Sequence, residues 1–188
     1  LMHYLKAPPH NTISVFAVQD RQTIMALKQL AQSQDLSDIT LLSTDATLLK
    51  FAHQHLPMLR TALDLSQAKL TSSRKDLSTI LQMTNQAFAK IVVLPEQLLE
   101  RENIRFLQRL LLSVWTDSSA SSAQDMAAVL TSGVNGIITP DSAGFANLLQ
   151  QFPKNTLLRK PLIIGHRGVP SLEDENTLES AQHAVALG

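Results

Sequence analysis

Ile91-Val92-Val93-Leu94-Pro95, then Glu96 to Arg109, then Leu111-Leu112-Ser113-Val114-Trp115: this stretch decides the fold. A continuous apolar run, cut off by proline, reads as a strand buried on both faces. Pro95 suits the first turn of a helix, where its missing N–H has no partner to lose. The segment from Glu96 to Arg109 has helical period, and a second apolar run follows it. Strand, helix, strand of this length is a crossover, and right-handed crossovers build parallel sheets.

The same alternation extends in both directions. Towards the N-terminus, the pattern predicts a helix over Ser73 to Phe88, a strand over Met58 to Leu63, a helix over Asp45 to His55 and a strand over Ile39 to Leu42. Thr12 to Ser33 reads as a helix on its apolar spacing, with a strand over Ile13 to Ala17 as the second choice. Leu1 to Leu5 reads as a strand. Towards the C-terminus come a helix over Ser122 to Ser132, a strand over Gly136 to Thr139, a helix over Ser142 to Gln151, a strand over Leu162 to Ile164 and a helix over Thr177 to Leu187. Ser122 and Asp125 are spaced as a capping box, and Gly133 suits the helix stop. About seven βα units result. Two architectures fit: an open doubly wound sheet, or a closed (β/α)₈ barrel.

Composition excludes several functions. The chain has 188 residues, with 16 basic residues against 16 acidic ones. That balance gives no nucleic-acid footprint and no polybasic membrane anchor. There is no cysteine, so disulfides, thiolate metal sites and cysteine nucleophiles are excluded. No apolar run reaches the length of a membrane span, so membrane association would come only through parts outside this chain. The charged fraction of 17% is low and is compatible with a covered surface, including a homodimer. Compartment is not readable from these features.

One constellation carries chemistry. Pro161-Leu162-Ile163-Ile164-Gly165-His166-Arg167-Gly168 is a strand running into a polar turn, and Glu175-Asn176-Thr177 opens the next helix. In parallel α/β folds, ligands bind at the C-terminal ends of the strands. Arginine offers a planar fork of donors that matches phosphate. Histidine moves protons near neutral pH. Glutamate offers hard oxygen to a divalent cation, and glycine lets the backbone approach a ligand. Alone, each has a plainer reading: solvated loop residues, or helix caps and dipole partners. The specificity lies in their combination.

That combination resembles the glycerophosphodiester phosphodiesterase family, whose barrels begin with a strand, His-Arg-Gly and then Pro-Glu-Asn-Thr. Asp174 stands where the family has proline. The resemblance implies that His166 is an acid/base histidine, that Arg167 holds the phosphate, and that Glu175 binds a metal, Ca²⁺ or Mg²⁺. The family's further Glu-x-Asp strand and second histidine would follow, but the chain stops at Gly188.

Earlier segments resemble the same family out of order. Leu41-Leu42-Ser43-Thr44-Asp45 looks like a mid-barrel strand. Ser113-Val114-Trp115-Thr116-Asp117 looks like the penultimate strand, whose tryptophan-threonine pair lines the substrate pocket. Gly133 to Thr139 looks like the final strand, with Asn135 in place of aspartate. Tyr4-Leu5-Lys6 falls at the family's Glu-x-Lys, with Tyr4 replacing a metal ligand and Lys6 retained for substrate binding. Core packing is the rival reading for Trp115 and Tyr4. Residues 1–152 are therefore expected to be the C-terminal portion of a degenerate barrel, 153–160 a linker, and 161–188 the first βα unit of another barrel. A permuted barrel is the alternative. Either way, the last strand is expected to dock beside Gly136 to Thr139, since that strand would otherwise expose an apolar edge.

The implied substrate is a glycerophosphodiester small molecule, cleaved in the parent protein to an alcohol and glycerol phosphate. This chain alone is expected to have little activity. The rival is a non-catalytic module binding a phosphodiester or lipid headgroup, or only supporting a neighbour. A phosphodiesterase acting on a phospholipid is a third reading.

Overall fold

The computed structural model describes residues 14–153 and 162–187. Leu1 to Leu5, Tyr4 and Lys6 lie outside those residues, as does nearly all of the expected linker. Among the described residues, seven strands alternate with seven α-helices: β1 (Ser14–Ala17), α1 (Arg21–Leu30), β2 (Ile39–Ser43), α2 (Ala46–His55), β3 (Arg60–Asp64), α3 (Arg74–Gln86), β4 (Ile91–Leu94), α4 (Arg101–Arg109), β5 (Ser113–Asp117), α5 (Ala123–Thr131), β6 (Gly136–Thr139), α6 (Ser142–Gln151), β7 (Leu162–Gly165) and α7 (Leu178–Leu187). A short 3₁₀ turn, Glu96–Leu98, lies between β4 and α4.

The strands pair in sequence order, all parallel. A doubly wound sheet reverses its strand order at a switch point. This one never does, so the sheet curls in one direction as an incomplete barrel of the α/β TIM type. β7 docks on β6, with Ile138 opposite Ile164 and Thr139 opposite Gly165, as expected.

One correction concerns the N-terminal part. Apolar spacing predicts a first helix from Thr12 to Ser33, but Ser14–Ala17 is a strand and the helix starts at Arg21. Asp20 decides the boundary: its carboxylate accepts the Thr23 N–H at 2.7 Å and caps the helix there. Pairing with β2 satisfies the backbone of β1. Elsewhere the expected capping box forms, and other helices gain caps of their own. Ser122 accepts the Asp125 N–H at 3.1 Å and donates to its carboxylate at 2.6 Å. Ser73 caps α3 and Asp45 caps α2.

Side chains alternate across each strand, so the sheet presents two faces. The outer face carries Leu63, Val92, Leu94, Val114 and Ile137. They pack on Ile80 of α3, Ile104 and Leu107 of α4, Leu130 of α5 and Phe145 of α6. A second outer cluster joins Ile39 and Leu41 to α1 and α2. Each fully buried aliphatic or aromatic side chain contributes ~1.5–3 kcal/mol of transfer free energy.

The inner face follows the stagger of a barrel. Ala62 is in register with Ile91 and then Ser113, and Trp115 lies two residues beyond. Trp115 is in register with Gly136 and then Leu162, and Ile164 lies two residues beyond. Running backwards through Leu42 and Ala17, the same step reaches Val15. A shift of two residues for every two strands is the shear of an eight-stranded barrel, in which alternate strands supply one layer. Val15, Ala62, Trp115 and Ile164 do pack in one cluster, together with Leu42, Val93 and Ile138 from the intervening strands.

Candidate active site at the barrel mouth

Moving one step up each odd strand gives the next layer: Ala17, Asp64, Asp117 and His166. All four stand at the C-terminal mouth, one tier above Trp115. The His166 N–H donates to Thr139 O at 2.9 Å, which extends the β6–β7 ladder by one residue before the chain turns.

The turn itself is built on two glycines. A Cβ at Gly165 would collide with the Gly168 carbonyl oxygen, and one at Gly168 would collide with Ser180 Oγ. Gly168 also has φ +93°, where a side chain is strained. Between them Arg167 takes a left-handed conformation at φ 60°. Ser180, fully buried at the start of α7, holds the turn from behind. Its hydroxyl accepts the Val169 N–H at 2.7 Å and donates to the Arg167 carbonyl at 3.3 Å. The Asn176 N–H donates to the same carbonyl at 3.0 Å.

These contacts bring Arg167 and Glu175 together. Arg167 Nη1 lies 2.5 Å from Glu175 Oε1, and both side chains are about half exposed. His166 is exposed on the neighbouring position. Trp115 lies beneath this level. It is buried, its Nε1 donates to Ser113 Oγ at 3.1 Å, and its ring closes over Gly136, where a Cβ would lie 2.8 Å away. Thr116 does not share that face. It is buried on the helix side and donates to the Leu94 carbonyl at 2.9 Å. Asn135, at a position where the family resemblance carries aspartate, accepts from the Val114 N–H and from Gln108 Nε2, both at 2.9 Å. Its role here is to tie β5 to the turn before β6.

Asp64 and Asp117 carry no role in the sequence reading. An aspartate closing an apolar run looks like an ordinary turn residue. The available signal was parity: each lies two residues beyond an inner-face residue, Ala62 and Trp115. Asp117 is open to solvent at the rim, but the protein crowds one side of its carboxyl. That loss of hydration is the main influence raising its pKa above the usual aspartate value. Asp64 and Glu96 raise it further, while His166 opposes them.

Among the described residues, no three carboxylate or imidazole groups gather to hold a divalent cation, and one oxygen of Glu175 is engaged by Arg167. No helix among the described residues is long and apolar enough to cross a membrane.

No protein-family profile matches the chain, and no curated protein matches it. Solved structures do. A protein from Silicibacter pomeroyi DSS-3, assigned as a glycerophosphoryl diester phosphodiesterase, superposes with a TM-score of 0.58 at 16% identity, covering 72% of this chain and 49% of its own. The glycerophosphodiester phosphodiesterase from Agrobacterium tumefaciens str. C58 gives 0.53 at 17% identity, covering 72% of this chain and 54% of its own. A protein from Burkholderia cenocepacia J2315 assigned as a lyase/mutase gives 0.55 at 12% identity, covering 98% of this chain and 90% of its own. This chain thus spans about half the length of the phosphodiesterases it matches. Likeness at such identity speaks to fold, and this fold hosts many chemistries. What this chain shares with all of these proteins is the α/β barrel fold.

Proposed function

We propose that the parent protein hydrolyses glycerophosphodiesters to an alcohol and glycerol phosphate, and that this chain supplies the phosphate-holding part of the site. One observation carries the reading: the Gly165–Gly168 turn sets Arg167 against Glu175 and beside His166, at the sheet end where ligands bind. The carboxylate holds one nitrogen of the guanidinium and so fixes its plane. The remaining donors of the fork are left for the oxygens of a phosphodiester. As charge grows on those oxygens in the transition state, Arg167 holds it more tightly than in the ground state, which is what accelerates the reaction. His166 transfers a proton at the reacting oxygen. Trp115 floors the site and, in this reading, bounds the alcohol or glycerol part. Lys6 is assigned to substrate binding by resemblance alone. Calcium or magnesium would neutralise phosphoryl charge, but Glu175 needs partners from outside the described residues to hold either.

The test is calorimetric titration with glycerol phosphate, with and without calcium or magnesium. Binding that is lost in Arg167→Ala, and that gains from metal only while Glu175 is intact, supports the hydrolase. Binding unaffected by Arg167→Ala overturns it. Turnover of glycerophosphocholine is expected to be slight. Substantial release of glycerol phosphate that disappears in His166→Ala would show that this chain is a sufficient enzyme.

A second reading, a non-catalytic module for phosphodiesters or lipid headgroups, draws on the engagement of Glu175 by Arg167, which ties up one of its oxygens. It predicts metal-independent binding that reports on Trp115.

A further inference from the structure

We propose that the end of the barrel opposite the mouth is a docking surface for an anionic lipid bilayer. The inference goes beyond the hydrolase reading and does not depend on it. It departs from the expectation that membrane contact lies only in parts outside this chain.

The surface is built from the turns that lead into β3, β4 and β5. Each carries an exposed apolar side chain beside an exposed cation: Met58 with Arg60, Phe88 with Lys90, and Leu110 and Leu111 with Arg109. Hydrogen bonds hold the three strand entrances side by side. The Thr61 hydroxyl donates to the Phe88 carbonyl at 3.0 Å. The Lys90 N–H donates to the Thr61 carbonyl at 3.4 Å, and the Ser113 N–H donates to the Lys90 carbonyl at 2.8 Å. Neighbouring strands lie ~4.8 Å apart, so the three entrances span only ~10 Å. The Phe88 ring stacks on the His53 imidazole with centroids 4.9 Å apart, and Lys50 Nζ lies 6.0 Å from its centre. Lys50 thereby joins the patch from α2.

Charge is segregated along the barrel axis. There is no aspartate or glutamate from Ala46 to Leu63, from Leu77 to Pro95, or from Asn103 to Thr116. Those stretches contain Lys50, Arg60, Lys90, Arg105 and Arg109. The acids of the same units stand towards the other end, among them Asp64, Asp76, Glu96 and Asp117. The even balance of the whole chain conceals this separation. Asp35 and Asp38, in the turn before β2, bound the patch on one side. Among the described residues, neither ion pair involves these cations. Arg109 also complements the end of its helix, whereas Arg60 and Lys90 lie outside any helix.

The backbone adds a second observation. Phe88 and Leu111 adopt φ 55° and 66° just after α3 and α4. Glycine is favoured at such positions, and a large exposed apolar side chain there carries strain without gaining burial. Exposed apolar tips among lysines and arginines suit an anionic interface. The tips enter the boundary of the acyl chains while the cations meet the headgroups. The core of a protein interface is instead depleted in lysine. Docked in this way, the barrel turns the Arg167 end away from the bilayer, towards water-soluble substrates.

Flotation of the whole chain with vesicles is the test, using phosphatidylcholine alone and an equimolar mixture with phosphatidylserine. Binding is expected only to the anionic vesicles, and it should fall as salt rises. Leu111→Gly should weaken it roughly tenfold, through loss of one inserted aliphatic side chain. Since that change relieves backbone strain, lost binding would not reflect lost folding. Lys90→Ala should weaken binding about fivefold, and Arg167→Ala should leave it unchanged. Failure to float with anionic vesicles overturns the proposal, as does flotation indifferent to both rim variants. Flotation abolished by Arg167→Ala overturns it as well, because the lipid would then be held at the mouth. A lipid-free dimer that sedimentation velocity detects and Leu111→Gly dissociates would give the patch to a second copy, against the proposal.

Discussion

Arg167 and Glu175 are eight positions apart in the chain, yet Nη1 and Oε1 meet at 2.5 Å because the intervening turn folds back on itself. The pair is half exposed, so its value to stability is small, below about 1 kcal/mol. Its value to binding is larger. Arg167→Ala should weaken glycerol phosphate affinity roughly tenfold to a hundredfold, the range for charge-assisted hydrogen bonds of ~1.5–3 kcal/mol. The melting temperature should scarcely change. Calorimetry and thermal melts on one preparation check both halves.

Gly168→Ala should cost about 1–3 kcal/mol, because the new methyl meets Ser180 in a strained backbone conformation. Gly133 has a similar φ of +95°, but a methyl group there would meet nothing within 4 Å. Gly133→Ala should therefore lose only the conformational part, about 1 kcal/mol. Urea denaturation of the two variants makes the comparison. Equal losses would mean that contact with Ser180 does not matter.

Asp117→Asn is expected to stabilise the protein at neutral pH. Folding raises this acid's pKa, so the folded state binds the proton more tightly than the unfolded chain. The resulting stability is complete below the unfolded aspartate pKa and is lost as pH rises through the folded value. The gain from asparagine should appear above that window and vanish in acid. Denaturation midpoints at neutral and acidic pH give the sign.

Leu111 is 83% exposed and adopts φ 66°, a left-handed position just after α4 where glycine is preferred. Leu111→Gly should raise stability by about 1 kcal/mol, since little buried surface is lost and the strain is relieved. A lower melting temperature in this variant would reveal packing that its exposure does not suggest.

Trp115→Ala should cost about 3–5 kcal/mol by opening a cavity in the inner layer. Gly136→Ala should also destabilise, from the opposite cause, because its methyl would press on the indole. Denaturant titrations of both variants test whether that layer is closely packed.

The strands are legible where burial on both faces writes an unbroken apolar run, as in Ile91–Leu94 and Gly136–Thr139. Ser14–Ala17 is ambiguous because its residues also fit helical spacing. Only pairing with β2 and the cap at Asp20 separate the two readings. The Gly165–Gly168 turn stands out because its residue types are chemically unusual together. The tier of Asp64, Asp117 and His166 does not, because it depends on stagger between strands far apart in the sequence, which appears only when register is known. The ion pair between Arg167 and Glu175 is hidden for a similar reason, since each residue type suggests a ligand of its own before it suggests the other.

Ser180 bonds both to the amide after Gly168 and to the carbonyl of Arg167. One hydroxyl thereby makes α7 a lever on the guanidinium. Sliding or tilting the helix would drag the arginine's main chain with it and re-aim the side chain. Whatever presses on the outside of α7, whether a neighbouring domain or another subunit, has a mechanical route to the mouth of the barrel.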